Sequence, residues 1–140
     1  MSERSRQRAA WLIHFFQRDA RDDEARSVPA IDFLEQVPIK VRAEMQAVAE
    51  APPPTFTGGG KWEVMHDDMA GFYEVRVRGA DRRNHRLFCI LERDATDLGG
   101  SSIVVIEGLS KPVRQAADPR DYRRAQRYRA EFLKRRTVLQ

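Results

Sequence analysis

The sequence predicts a single α+β domain, in which a small antiparallel sheet carries two N-terminal helices and one C-terminal helix. Three strand-like segments follow one another with turn-rich connections, at Phe72–Arg78, His85–Arg93 and Ser102–Lys111. Two proline-marked amphipathic segments precede them, and an arginine-rich amphipathic segment follows. At 140 residues and 16.2 kDa the chain is long enough for one domain with a modest core.

The N-terminal part predicts a strand, a charged loop and the start of a helix. Residues 1–10 are polar and basic, which predicts a flexible arm. Residues 11–16, WLIHFF, have the aromatic and β-branched content of a strand, and residues 18–27 are charged and predict a loop. Ser27 and Pro29 then predict a helix start, because a hydroxyl caps the first turn and a proline there sacrifices no hydrogen bond.

Two short helices are predicted on either side of Pro38, since a proline inside a helix removes a hydrogen bond and clashes with the preceding turn. The inner positions of the first helix are Ile31, Leu34 and Val37, and those of the second are Val41, Met45 and Val48. Residues 51–61 contain three consecutive prolines and three consecutive glycines and predict a loop. No phosphate-loop motif surrounds these glycines, and the next residues, 61–66, predict a short strand.

The three central segments carry the core and an unusual set of cations. Residues 103–106 are apolar throughout, as in an interior strand covered on both faces. In the first segment, side-chain alternation places Glu74, Arg76 and Arg78 on one face. Arg76 lies within a strand, Arg86 near the start of the next and Lys111 at the end of the third. We expect these three cations to converge on one anion.

The C-terminal segment predicts a basic helix that begins at Asp118 and Pro119. Its narrow apolar stripe is Ala125, Tyr128 and Phe132, or alternatively Tyr122 and Ala125, and the remainder is largely arginine. Between residues 111 and 136 there are ten basic and three acidic residues, whereas residues 19–50 contain eight acidic and four basic ones. The formal net charge of +4 permits a polyanionic partner without requiring one.

Cysteine use and hydropathy bear on the compartment. The single cysteine, Cys89, excludes an intrachain disulfide and predicts a buried thiol. The longest early apolar run, at residues 11–16, is too short to span a membrane or to form a signal-peptide core. We therefore expect a cytoplasmic protein with no membrane association.

The central strands and the last helix resemble a known family. The succession FYEVRVR, HRLFCILER, IVVIEGLSKP and DPRDYRRAQRY is similar to the phage-derived HigB group of RelE-like toxins. In these, an E-x-R strand, a strand that opens with arginine and a strand that ends in lysine precede a helix with a central alanine. The matching positions are Glu74 with Arg76, Arg86, Lys111 and Ala125. The segment LSKPVRQA departs from the family, in which many members carry consecutive lysines.

The resemblance implies a RelE-like fold and the toxin of a toxin–antitoxin pair. Such a toxin is an endoribonuclease that cleaves messenger RNA, often on the translating ribosome, and is silenced by a helix-turn-helix antitoxin. RNA cleavage without a metal needs proton transfer and fixed cations around the phosphorane. The roles fall to Arg76 and Arg86 as catalytic cations, to Glu74, His85 and His66 for proton transfer, and to Lys111, Arg78 and Arg114 for phosphate binding. No cofactor is expected, and the histidines and the cysteine show no metal-ligand spacing.

Several of these residues have a structural alternative. Glu74 and Arg76 lie two apart on one strand face and could form a structural ion pair with each other or with Glu92. His85 follows Asn84 and could be a turn residue, whereas Tyr122 and Tyr128 are better explained as core packing. At the level of function, the alternative is a catalytically silent RelE-like module that binds RNA or a protein partner.

Overall fold

A computed structural model describes residues 11–50 and 62–140, without the side chains of residues 48–50. The predicted N-terminal arm, the Pro/Gly-rich loop at 51–61 and the inner position Val48 therefore lie outside the described part. The strands are β1 (Leu12–Phe15), β2 (Trp62–Val64), β3 (Tyr73–Arg78), β4 (Arg83–Glu92) and β5 (Ser102–Pro112); the helices are α1 (Pro29–Gln36), α2 (Ile39–Glu50) and α3 (Pro119–Arg135).

All five strands form one sheet in the order β1-β5-β4-β3-β2. The pairs β2–β3, β3–β4 and β4–β5 are antiparallel, as the short connections predict. However, β1 pairs with β5 in parallel, so the prediction of a purely antiparallel sheet was wrong. The reason is that two helices and three strands separate these neighbours in sequence, and no hairpin forces opposite directions on them.

The sheet is covered on both faces, which makes β5 an interior strand. One apolar cluster joins α1 and α2 to the sheet through residues such as Leu34, Met45, Val75 and Ile103. The other joins α3 to the opposite face through Phe72, Phe88, Ala125 and Phe132. A bulge at Ile106 shifts the register between β4 and β5, so that Glu107 and Ile106 both face α3. Cys89 is buried, as predicted.

The ends of the helices agree only partly with the sequence analysis. α1 begins at Pro29, but its N-cap residue is Val28 and no side chain caps it. The Ser27 hydroxyl instead donates a hydrogen bond to Asp23, 2.7 Å away, within the preceding loop. α3 begins as predicted, because the Asp118 side chain accepts a hydrogen bond from the backbone N–H of Arg120.

No helix within residues 11–50 and 62–140 has both the length and the apolar character needed to cross a membrane.

Candidate functional site: a groove with paired arginines

An open groove of about 470 Å³ lies on the face of the sheet that α3 covers only in part. Its walls come from β2, β3, β4, the short turn at Asp67–Met69 and the first turn of α3. The groove is lined by Glu63, Val64, Met65, His66, Asp67, Met69, Glu74, Arg76, Arg86 and Tyr122. Four of the five residues predicted to act as catalytic cations or in proton transfer, Arg76, Arg86, Glu74 and His66, therefore share one depression.

Arg76 and Arg86 stand directly opposite each other on β3 and β4, which brings two cations side by side. Like charges at such positions repel each other. The Glu74 carboxylate offsets part of this repulsion: its Oε1 atom accepts a hydrogen bond from Nε of Arg76 at 3.0 Å and lies 2.8 Å from Nη2 in an ion pair. The expected ion pair between Glu74 and Arg76 is thus present.

Arg86 is bound much less tightly than Arg76. Its nearest carboxylate oxygen is Oε2 of Glu74, 3.7 Å from Nη1, which is too far for a hydrogen bond. Its Nε atom is buried and has no hydrogen-bond partner among the residues that the structure describes. The side chain is 18% exposed, against 43% for Arg76 and 3% for Glu74. Because a buried donor without a partner is unfavourable, an anion that enters the groove would supply what Arg86 lacks.

Glu74 is poorly suited to proton transfer in this arrangement. It is almost completely buried, and its carboxylate contacts two guanidinium groups instead of opening to the groove. Its geometry is that of a residue that holds Arg76 and Arg86 in place. The more accessible groups are His66 and Asp67, both exposed at the mouth of the groove, and the partly buried Glu63. Imidazole is the side chain best suited to proton transfer near neutral pH.

The groove also carries negative charge that the sequence analysis did not consider. Glu63 pairs directly with Glu74 across β2 and β3, and Asp67 follows in the adjacent turn. Sequence alternation could have placed Glu63 on the same face as Glu74, but only if the pairing of β2 with β3 had been known. Solvent screens the exposed Asp67 more effectively than the buried groups.

α3 contributes Tyr122 to the lining of the groove and is bound to the sheet beside it. The Tyr122 ring meets Phe88 at 6.0 Å with a 69° angle between planes, so this residue packs against the core and also lines the groove. Two residues on, Arg124 donates from Nη2 and Nε to Oε1 of the buried Glu107, at 2.7 and 3.0 Å. Burial raises the pKa of Glu107, although Arg124 opposes that shift. The sequence analysis identified neither residue of this pair.

Lys111 lies on the same face as Arg86 but does not line the groove. By register it is two residues along β5 from Leu109, the partner of Arg86. Its Nζ atom lies 3.3 Å from the Asp121 carboxylate of α3. The structure therefore brings Arg76 and Arg86 together, as expected, but Lys111 forms an ion pair with Asp121 of α3 instead of joining them.

Arg78 and Arg114 line a separate depression of about 590 Å³ together with Arg82. Arg82 and Arg114 each occupy a turn with left-handed backbone, and the two turns are joined by a hydrogen bond from the N–H of Val113 to the carbonyl of Arg82, 3.0 Å long. Sequence position alone did not indicate that Arg82 joins this cationic surface.

His85 does not share the groove with Arg76 and Arg86. It pairs with Val77, whose side chain belongs to the cluster under α1, and it is only 2% exposed. Alternation along β4 thus sends His85 to the face opposite Arg86. It is not a turn residue either, because it lies within β4 and both ring nitrogens have side-chain partners.

No family model, curated protein or solved structure matches this chain. Within residues 11–50 and 62–140, no group of three or more His, Cys, Asp and Glu side chains is placed to hold a metal ion.

Proposed function

We propose that this protein is a RelE-like endoribonuclease, the cytoplasmic toxin of a toxin–antitoxin pair, and that it cleaves messenger RNA on translating ribosomes in the groove beside α3. The observation that carries the proposal is the pair of adjacent guanidinium groups, of which Arg86 has an unpartnered buried donor. Guanidinium binds two phosphate oxygens at once and keeps its charge at all physiological pH values. A phosphodiester is therefore the ligand that best fits this pair.

In this proposal the RNA backbone itself supplies the nucleophile. A base removes the proton of the 2′-hydroxyl, the 2′-oxygen attacks the adjacent phosphorus, and the bond to the 5′-oxygen breaks after that oxygen is protonated. The products are a 2′,3′-cyclic phosphate and a 5′-hydroxyl. Arg76 and Arg86 stabilise the charge that develops on the phosphorane. His66 is our candidate for proton transfer, because its imidazole is exposed at the mouth of the groove.

The surrounding cations would guide the rest of the RNA. Arg78, Arg82 and Arg114 form a basic depression at the end of β3 and of β5, and the exposed arginines of α3 extend positive charge along the same molecule. Contacts of this kind bind phosphates without reading sequence. The natural inhibitor would be a helix-turn-helix antitoxin, as the family resemblance implies.

The decisive experiment is incubation of the purified protein with a defined messenger, with and without ribosomes and with EDTA. We expect cleavage that survives EDTA and leaves cyclic phosphate ends. Arg76→Lys and Arg86→Lys should each reduce the cleavage rate by about 10²–10³-fold, because lysine keeps the charge but loses the two-pronged contact. Arg120→Lys is the matched control, since that side chain is 80% exposed, pairs with Asp118 and is not among the residues that line the groove.

Two observations favour a second function, a catalytically silent module that binds RNA or a protein. Glu74 neutralises part of the cation pair, and Lys111 is already paired with Asp121. Under this alternative the messenger stays intact, with or without ribosomes, while RNA still binds with a steep dependence on salt. Arg76→Lys would then leave the affinity almost unchanged.

A further inference from the structure

A second cluster of reactive side chains lies on the other face of the sheet, in a cleft of about 390 Å³ beneath α1. His85 is at its centre and lies between two polar partners. Its Nδ1 atom is 2.7 Å from the Ser110 hydroxyl, and its Nε2 atom is 3.1 and 3.2 Å from the two carboxylate oxygens of Asp81. This is a continuous chain of hydrogen bonds from a carboxylate through an imidazole to a hydroxyl.

The direction of these hydrogen bonds follows from the chemistry of the two end groups, the carboxylate and the hydroxyl. An ionised carboxylate only accepts hydrogen bonds, so Nε2 of His85 carries the proton that points at Asp81. Nδ1 then carries the lone pair, and the Ser110 hydroxyl must donate to it. The serine hydroxyl thus donates to an imidazole, and the imidazole donates to a carboxylate. This arrangement activates a serine nucleophile. The two ring nitrogens exchange roles relative to the familiar serine hydrolase triad, but the order of proton acceptors is unchanged.

Burial and backbone geometry hold this chain in place. The His85 ring is 2% exposed, whereas the Asp81 side chain is 32% exposed and Ser110 is partly exposed. A Cβ atom at Gly79 would overlap the Asp81 carboxylate, so the absence of a side chain there lets the hairpin close over the imidazole. The base is thus shielded from water while the hydroxyl borders the cleft.

The rest of the cleft suits a small acyl group beside a developing negative charge. Phe33, Val37 and Pro38 supply apolar lining. Arg83 also lines the cleft and donates from Nη2 to the carbonyl of Ser110, 3.2 Å away, which fixes its guanidinium next to the serine. A guanidinium has five N–H groups, so this cation has further donors for the oxygen of a tetrahedral intermediate.

We propose that Asp81, His85 and Ser110 form a second catalytic site, in which Ser110 cleaves small apolar carboxylic esters. The Ser110 oxygen bonds to the ester carbonyl carbon while its proton passes to Nδ1 of His85. The bond to the alcohol oxygen breaks, and that oxygen takes the proton. Water then attacks the acyl-serine, gives one proton to Nδ1, and the serine oxygen recovers it as the acid leaves. The inference is independent of the nuclease proposal, since this cleft and the groove lie on opposite faces of the sheet.

The test is covalent labelling of the purified full-length protein with a fluorophosphonate probe, followed by peptide mapping. The probe bonds to an activated serine oxygen and loses fluoride. We expect labelling at Ser110, its abolition by Ser110→Ala, and no change with Ser101→Ala, whose hydroxyl accepts a hydrogen bond from the Asp94 backbone. A burst of p-nitrophenol from p-nitrophenyl acetate should accompany labelling, because the acyl-serine forms before it is hydrolysed.

Asp81 acts through His85, so its role needs a separate measurement. Asp81→Asn should slow labelling by about 100-fold, because an amide no longer holds the imidazole in the required tautomer. Asp81→Glu should bring the rate back to within about tenfold of the natural chain by restoring a carboxylate. The proposal is overturned if the natural, folded protein is not labelled at Ser110, or if labelling at Ser110 proceeds equally fast in Asp81→Asn. The first of these results needs no variant and does not depend on whether a variant folds.

Discussion

Replacing Arg76 or Arg86 by methionine should show whether each arginine contributes to the free energy of unfolding, to the rate of messenger cleavage, or to both. Methionine keeps much of the apolar stem of arginine and removes the charge. In Arg76→Met the buried Glu74 loses the hydrogen bond from Nε, at 3.0 Å, and the ion-pair contact with Nη2, at 2.8 Å. Hydrogen bonds to charged groups contribute about 1.5–3 kcal/mol, so we expect a loss of about 2 kcal/mol in the free energy of unfolding.

Arg86→Met should behave differently, because Arg86 makes no direct hydrogen bond to Glu74. Loss of its ion pair at 3.7 Å lowers the free energy of unfolding, whereas loss of a buried donor without a partner, which costs about 1–3 kcal/mol, raises it. The two contributions have opposite signs, so the free energy of unfolding should stay constant or rise. Both variants should nevertheless lose about 10²–10³-fold in the rate of messenger cleavage.

Thermal unfolding followed by circular dichroism, at one pH and one protein concentration, measures the difference. With an unfolding entropy of about 2.1 cal/mol/K per residue, a loss of 2 kcal/mol lowers the melting temperature of this chain by about 7 °C. We expect that shift for Arg76→Met and no decrease for Arg86→Met. If the melting temperature of Arg86→Met is as low as that of Arg76→Met, then Arg86 is a structural residue, and its unpartnered donor is not evidence for anion binding in the groove.

Three further predictions concern the scaffold. Arg124→Ala should lower the melting temperature by several degrees, because Glu107 stays buried without its partner. Adding Glu107→Gln to the same chain should recover part of that loss. Thermal melts of the single and double variants measure the coupling between the two residues. Gly108→Ala should destabilise by about 1–3 kcal/mol in urea unfolding, since the added methyl would overlap the Phe33 ring, and an unchanged midpoint would contradict that packing. Because burial strongly raises the pKa of its thiol, Cys89 should resist iodoacetamide in the native state and react only in denaturant, as mass spectrometry can determine.

The candidate groove was predictable in part. Alternation along β3 correctly placed Glu74 and Arg76 on one face, because strand geometry fixes that relation within a single segment. The position of Arg86 opposite Arg76 depends on the register of the β3–β4 hairpin, which cannot be read directly from the sequence. His85 was assigned to the wrong face of the sheet for a different reason: it is adjacent to Arg86 within β4, and side-chain alternation places adjacent strand residues on opposite faces.

The amino-acid sequence by itself determined the α+β class, the order of the elements and the points where proline and aspartate start or separate helices. Those features are local, since they depend on side-chain periodicity and backbone preferences within a few residues. Only the tertiary structure decided that β1 runs parallel to β5, that Glu63 and Tyr122 join the paired arginines, and that Asp81, His85 and Ser110 form one hydrogen-bonded chain. Each of these depends on strand register or on the docking of a helix, and therefore on contacts between residues that are distant in sequence.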